Sequence, residues 1–420
     1  MFRDKTKRAQ KRLESLPCLA LQAEQVEFIY SPMTFKNEII QLIRQAKTRI
    51  FVTALYWQND EAGQEILDEI YRAKQDKPEL EVKILIDWHR AQRNLLGAEK
   101  SATNADWYCE QRQKYQLADD PNLFFGVPIN TREVFGVLHI KGFVFDDTVL
   151  YSGASINNVY LQQNEKYRYD RYQKITHPQL ADSMVAFIRD FLLNSDVVLP
   201  LDSVNRPKTK EIRQNIRHFR KNLALNGQYK LSSAVDFGNE LTVTPLFGLG
   251  GTGNVLNCTI EDLFQLVDEK LTICTPYFNF PRTLQQKIRQ LLHKGKKIEI
   301  IVGDKVANDF YIPPEQPFKM AGALPYLYEN NLRRFSKKFQ REMEQGQLII
   351  RTWKDGTNTY HLKGVWIDDN YILLTGNNLN PRAWRLDAEN GLFIHDPKQQ
   401  LLPQVVQELD CIRQHTTVLQ

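Results

Sequence analysis

What this chain of 420 residues lacks narrows the reading first. No apolar run reaches the roughly 18 positions that a membrane-spanning helix needs. The best stretch, Met184 to Leu201, is broken by Arg189, Asp190 and Asp196. The basic N-terminus carries only the short apolar stretch Leu16 to Leu21, interrupted by Pro17, so a secretory leader is not expected. Cysteine is scarce: five residues, an odd number without C-x-x-C spacing, which fits neither a disulfide framework nor a zinc site. A reducing cytosol is therefore the expected compartment. With 20 Gly and 18 Pro, 42% hydrophobic and 25% charged residues, a disordered or collagenous chain is also excluded. The length suits two to three domains at ~150 residues each.

An excess of charge of one sign is small overall, 55 basic against 50 acidic residues for a net +5, but its distribution is uneven. The first sixteen residues hold Arg3, Lys5, Lys7, Arg8, Lys11 and Arg12 against Asp4 and Glu14. A second block holds Arg206, Lys208, Lys210, Arg213, Arg217, Arg220 and Lys221 against Glu211, and a third Arg333, Arg334, Lys337, Lys338 and Arg341. Such clusters favour an anionic surface, either acidic lipid or nucleic acid, unless they are solvated helix faces. Phe2, Thr6, Ala9, Leu13 and Leu16 share one helical stripe, so the first block is compatible with a helix lying on a membrane.

What is present is a duplication. Ala46 to Tyr56 and Glu269 to Tyr277 each read as a buried strand with an aromatic at its end. Helical patterns over Gln64 to Lys74 and Leu284 to His293 follow, then the alternating strands Leu80 to Asp87 and Lys297 to Asp304. His139-Ile-Lys141-Gly-Phe-Val-Phe-Asp146 recurs 222 residues later as His361-Leu-Lys363-Gly-Val-Trp-Ile-Asp368. Each copy leads to a strand and a glycine turn, Gly153-Ala-Ser155-Ile-Asn157 and Gly376-Asn-Asn378-Leu-Asn380. Each half closes on an acid eight residues before a proline, Asp170 and Glu389. The expected fold class is α/β: two halves related by a pseudo-twofold axis, each a mixed sheet flanked by helices, with the active site between them. The expected boundaries are a basic segment at 1–25, a first half at 26–200, a basic linker at 201–240 and a second half at 241–420.

In an extended segment His and Lys at i and i+2 point to the same side. Two such pairs meeting across a twofold axis gather two imidazoles and two ammonium groups around one point, which suits a phosphodiester. The lysines offset charge on the non-bridging oxygens, one imidazole attacks phosphorus, and the other moves the proton of the leaving and entering oxygens. No cofactor is required by this chemistry, and no Asp/Glu/His cluster has metal-ligand spacing.

On these residues the sequence resembles the phospholipase D superfamily, whose signature is this duplicated His-Lys-Asp motif. The resemblance implies His139 as nucleophile and His361 as acid and base, with Lys141 and Lys363 holding the phosphate. Asp146 and Asp368 complete the motifs. By position, Asn378 matches the family's phosphate-contacting Asn, and Ser155 stands at the equivalent turn of the first half, with Asn157 and Asn380 close by. Asp170 and Glu389 match the closing acids that orient an imidazole through its other nitrogen.

The likeness extends further. Asp87-Trp-His-Arg-Ala-Gln-Arg93, Thr103-Asn-Ala-Asp-Trp-Tyr-Cys109, Val127-Pro-Ile-Asn-Thr-Arg-Glu133, Lys166-Tyr-Arg-Tyr-Asp-Arg-Tyr172, Asp309-Phe-Tyr-Ile-Pro313, Ala323-Leu-Pro-Tyr-Leu-Tyr328 and Asn378-Leu-Asn-Pro-Arg-Ala-Trp384 are similar to the bacterial phosphatidylserine synthase family of the phospholipase D type. That family's reaction joins CDP-diacylglycerol and L-serine, giving phosphatidylserine and CMP. The resemblance implies a phosphatidyl-histidine intermediate and an enzyme docked peripherally on the anionic inner face of the cell membrane. Members often carry a basic C-terminal extension, so a contact made by such a tail is expected to be missing from a chain that stops at Gln420. Asp87, His89, Arg90, Asn104 and Asp106, at strand ends or in the loop beyond, are candidates for substrate recognition. A homo-oligomer is compatible with the sequence. The alternative readings are a phosphodiesterase acting on another lipid or on nucleic acid, of which nucleic acid is the weaker, and a binding scaffold with a vestigial site.

Overall fold

The computed structural model describes residues 2–94, 101–317 and 319–420, without the side chains of residues 2–4. Two mixed sheets dominate. In the first, Leu199–Pro200, Phe124–Val127, Glu81–Asp87, Arg49–Ala54, Gly142–Phe145, Thr148–Ser152, Tyr172–Thr176 and Val26–Ile29 lie side by side in that order. In the second, the order is Leu19–Ala20, Thr242–Gly248, Glu389–His395, Tyr371–Thr375, Gly364–Ile367, Lys270–Thr275, Lys297–Gly303, Leu348–Trp353 and Thr416–Val418.

The centres of the sheets repeat one another. Arg49–Ala54 pairs in parallel with Glu81–Asp87 and antiparallel with Gly142–Phe145. Lys270–Thr275 pairs in parallel with Lys297–Gly303 and antiparallel with Gly364–Ile367. The near-continuous apolar strands Ile50-Phe-Val and Ile298 to Val302 are buried on both faces, as central parallel strands require. Each parallel crossover is a helix with one apolar stripe. Glu61–Asp76, capped by Asp60 on Gly63 N at 2.9 Å, buries Ile66, Leu67 and Ile70. Arg282–His293 buries Leu284, Ile288 and Leu291.

These helices cover the outer faces, while the inner faces share a single apolar cluster drawn from both halves, including Phe51, Val144, Tyr151, Cys274, Trp366 and Leu374. Helices Pro178–Phe187, Arg213–Asn226 and Leu402–Arg413 add Met184, Phe219 and Leu409 to it. An ion pair and a hydrogen bond cross the same region: Glu408 accepts from Arg171 at 2.7 Å, and from Gln173 at 2.7 Å.

The membrane-lying role expected for the N-terminal helix is corrected here. In Phe2–Glu14, Ala9 and Leu13 are fully buried, and Leu13 packs with Leu256, Ile260 and Leu263 of the second half. Arg12 pairs with Asp262 of the same helix bundle. The apolar stripe is spent inside the fold; the Phe2 side chain lies outside the described residues. Within the linker block, Arg220 donates to Leu386 O at 3.0 Å and Arg206 pairs with Asp106, so only part of that block faces solvent. Among the described residues no helix is long and apolar enough to cross a membrane.

Candidate active site

Each His-x-Lys segment is an extended lead-in to its strand, and each runs alongside the opposite half. His139 N donates to Ala388 O at 2.9 Å, and Ala388 N to Val137 O at 3.0 Å. At the pseudo-equivalent position, His361 N donates to Tyr169 O at 2.8 Å, within the parallel pairing of Arg168–Tyr169 with Thr359–Tyr360. This crossing places the acid at the start of each closing strand, Asp170 just before Tyr172–Thr176 and Glu389 opening Glu389–His395, beside the other half's histidine. His139 Nδ1 lies 2.9 Å from both Glu389 carboxylate oxygens. His361 Nδ1 lies 3.0 Å from Asp170 Oδ2 and 2.8 Å from Tyr160 Oη. The two carboxylates are 1% and 2% exposed, so they serve the imidazoles rather than solvent.

Both lysines are buried. Lys363 Nζ is 3.3 Å from Asp170 Oδ2 and lies against the His361 ring. Lys141 is fixed through its backbone: its N–H donates to Asn390 Oδ1 at 2.8 Å and its carbonyl accepts from Asn390 Nδ2 at 2.8 Å. The two turn glycines make this possible. A Cβ at Gly376 would stand 2.8 Å from Lys141 Cγ, and one at Gly153 would stand 2.7 Å from Asp170 Oδ2.

The electrostatics follow from burial of like charges. Burial, then the neighbouring Lys363, pushes the Lys141 ammonium down to about 7. Burial and Asp170 act oppositely on Lys363, with the net effect downward. Burial and both lysines hold His139 well below its ordinary value, and burial with Lys363 brings His361 down to about 4. In the empty site both rings are therefore neutral. Burial, then Asp387, pushes the Glu389 carboxyl well above its ordinary range against the pull of the lysines. Where Glu389 is ionised, a neutral His139 donates Nδ1–H to it and keeps its lone pair on Nε2, the arrangement a nucleophile needs. An anion between the lysines offsets the burial cost that lowers all four groups, and the repulsion that Lys141 and the two rings also feel.

Several expected site residues stand elsewhere. Asp146, in left-handed backbone at φ 50°, accepts from Lys47 N, Thr48 N and Thr48 Oγ1 at 2.8, 2.8 and 2.7 Å. Asp368, at φ 51°, does the same for Asp268 N, Glu269 N and Lys270 N at 2.7, 2.8 and 2.7 Å. Both sit at the far end of their strands from the imidazoles and tie a turn to the neighbouring strand, which corrects their placement among catalytic groups. Asp87 accepts from His89 N and Arg90 N at 3.0 Å each and from Leu138 N at 2.9 Å. It positions the residue before His139 and has no surface left for a substrate.

His89 is held by Asn130 O at 2.7 Å, Asn104 accepts from Asn59 N at 3.0 Å, and Asp106 closes a capping box with Thr103. Asn380 caps Pro381–Arg385 through Ala383 N at 2.9 Å. Local capping has consumed these polar groups. Arg90 does face the site region, stacked over Tyr56 at 5.6 Å. Asn157 reaches Tyr56 Oη at 3.3 Å, and Ser155 is buried at its turn. The Asn378 Oδ1 is buried and, among the described residues, unpartnered.

Sequence reasoning missed Tyr160, Asn390, Arg168 and Asp309. Tyr277, noted only as a strand-end aromatic, stands edge-on to His361 at 6.2 Å and donates to Asp309 Oδ1 at 2.6 Å. The strand-end position was the available signal for Tyr277; Arg168 and Asp309 stand in segments that carry the family likeness without being singled out there, and Tyr160 lies in a turn outside them.

The same architecture recurs in known proteins. The chain is 75% identical to the Haemophilus influenzae CDP-diacylglycerol–serine O-phosphatidyltransferase over 419 residues, 100% of this chain and 92% of that one. The chain belongs to the phosphatidylserine synthase family of the phospholipase D type. A crystal structure of the H. influenzae phosphatidylserine synthase superposes with a TM-score of 0.97, covering 99% of this chain and 92% of that one. The Escherichia coli CDP-diacylglycerol–serine O-phosphatidyltransferase is 52% identical over 99% of this chain and 91% of its own length. Residues 261–413 match the family model described as cardiolipin synthase, PLD-like domain. The phosphatidylserine synthase fold thus carries its four cationic and imidazole groups on a two-half frame in which each half supplies the acid for the other.

Proposed function

We propose that this phosphatidylserine synthase family member transfers the phosphatidyl group of CDP-diacylglycerol to L-serine, releasing CMP, through a covalent bond to His139. The observation that carries this reading is the pair of imidazoles, each bonded at Nδ1 to a buried carboxylate and each accompanied by a buried lysine. His139 Nε2 attacks the diacylglycerol-linked phosphorus, and the pyrophosphate P–O bond to CMP breaks. Lys141 and Lys363 hold the non-bridging oxygens, and the anionic phosphate raises His361 so that it can protonate the departing CMP oxygen. His361, neutral again, takes the proton of the serine hydroxyl as that oxygen attacks phosphorus, and the bond to His139 breaks. Two in-line displacements give retention at phosphorus and ping-pong kinetics.

The donor lipid brings the enzyme to an anionic surface. Arg333, Arg334, Lys337 and Lys338 on Leu324–Lys338 are exposed, and Val134 and Phe135, 59% and 49% exposed, precede His139 closely. Surface cations and exposed apolar side chains on one molecule suit peripheral docking at the inner face of the membrane. The test is CMP release from CDP-diacylglycerol and serine in mixed micelles. Mass spectrometry after brief exposure without serine should find the phosphatidyl adduct on His139; absence of CMP release refutes the reading.

A further inference from the structure

One charged cluster beside the imidazoles has no part in the chemistry just described. Arg168 extends from the first half and Asp309 from a loop of the second, so the pair spans the cleft between the halves. Arg168 Nη1 stands 3.8 Å from Asp309 Oδ2, beyond hydrogen-bond distance. The rest of the guanidinium is fixed: Nε donates to Thr359 Oγ1 at 3.1 Å, and the plane lies over the Tyr160 ring at 5.0 Å. Among the described residues no acceptor lies within hydrogen-bond distance of its two terminal nitrogens. Asp309 Oδ1 accepts from Tyr277 Oη at 2.6 Å, which leaves Oδ2 facing the guanidinium across the gap. The side chains are 16% and 20% exposed, so they are mostly buried yet still reach solvent.

The cluster adjoins the proton-moving ring. Tyr160 joins Arg168 to His361 Nδ1, and Tyr277 joins Asp309 to the edge of the same ring. Burial alone would push Asp309 upward, but Arg168 and His361 outweigh it and keep the carboxyl ionised. A fixed, mostly buried cation and anion held slightly apart are poorly satisfied by each other, and such groups favour a ligand that meets both. An α-amino acid carries its carboxylate and its ammonium on one carbon, and its charges match this pair in sign and in spacing.

Taking the serine-transfer reading as given, we propose that Arg168 and Asp309 form the acceptor subsite. Arg168 receives the carboxylate of L-serine and Asp309 its ammonium group, which aims the hydroxyl at His361. Acceptors without one of the charges, such as water, glycerol or ethanolamine, leave a buried partner unmet, and sites of this kind reject them strongly. The pair is thus a specificity device for the second half-reaction.

The experiment compares acceptors in wild type, Asp309→Asn and Arg168→Gln, using CDP-diacylglycerol in mixed micelles. L-Serine is set against 3-hydroxypropanoate, which lacks the ammonium, and against ethanolamine, which lacks the carboxylate. In Asp309→Asn the KM for serine should rise more than tenfold, and the preference for serine over 3-hydroxypropanoate should fall at least tenfold. In Arg168→Gln the preference for serine over ethanolamine should fall comparably. Preferences within twofold of wild type in both variants overturn the subsite and leave the pair a tie between halves. A raised KM for CDP-diacylglycerol with an unchanged KM for serine also overturns it, in favour of the leaving nucleotide. If either variant fails to fold, Asp309→Glu and Arg168→Lys with the same acceptors decide by the same ratios. Wild type that releases CMP but uses the three acceptors equally refutes the subsite alone. Wild type that releases no CMP refutes the transferase reading and the subsite with it.

Discussion

The strongest quantitative consequence of burying two lysines side by side is proton uptake when the donor lipid binds. In the empty site burial and Lys363 hold Lys141 down to about 7. Phosphate oxygens placed between the lysines stabilise the charged form and return it toward an ordinary lysine value near ~10.4. At pH 7 about half of the Lys141 side chains are neutral before binding, and at pH 8 about nine-tenths. Binding should then take up about 0.5 proton at pH 7 and about 0.9 at pH 8 from Lys141, with Lys363 and His361 adding in the same direction. By linkage, affinity for the anion should fall toward tenfold per pH unit above about 7 and level off below it.

The assay is calorimetric titration with a non-cleavable phosphonate analogue of CDP-diacylglycerol in mixed micelles. Two buffers of different ionisation enthalpy give the proton stoichiometry. Lys141→Met should remove the Lys141 share of the uptake as well as much of the affinity. Heats that do not depend on buffer at pH 8, or full uptake in Lys141→Met, refute the argument that burial, with repulsion between the lysines added at Lys141, sets these protonation states.

Other outcomes follow from the geometry. Glu389→Gln keeps the shape beside His139 but replaces the carboxylate that fixes its tautomer, so turnover should fall by about 10³ with little change in the unfolding midpoint. His139→Ala and His361→Ala should each abolish turnover, and only His361→Ala should still accumulate some adduct when serine is absent. Asp146→Ala should cost about 2–3 kcal/mol in urea unfolding, because three backbone N–H groups lose their acceptor, while activity per folded molecule persists. Leu13→Asp places a charge in the cluster with Leu256 and Ile260 and should expose the N-terminal helix to proteolysis without removing CMP release.

The frame of the site was legible because its signals are local and duplicated. Periodicity marked helical patterns over Gln64 to Lys74 and Leu284 to His293, which lie within the crossover helices Glu61–Asp76 and Arg282–His293, and the repeated His-x-Lys spacing gave two imidazoles and two ammonium groups. Asp170 and Glu389 were recognisable as orienting acids, but a strand-by-strand reading cannot say that each serves the other half's histidine. Asp87, Asn104, Asp106 and Asn380 misled for one physical reason. A polar residue at a strand end or a helix start looks alike in sequence whether it caps backbone N–H groups or faces a ligand. Arg168 and Asp309 carry no periodic signal, because the pair exists only after two distant segments meet.

The sequence by itself determined which chemical groups are available: two neutralisable imidazoles, two lysines and their acids, written twice in the same order on an α/β frame. That information is local, since side-chain direction along an extended segment and the apolar stripe of a helix depend on near neighbours alone. Only the tertiary structure decided partnership and protonation. Packing one half on the other brings Glu389 to His139 and Asp170 to His361, and excludes the water that would otherwise leave Lys141 and Lys363 ordinary. Both effects depend on distances between residues far apart in the chain, which no spacing within either half contains.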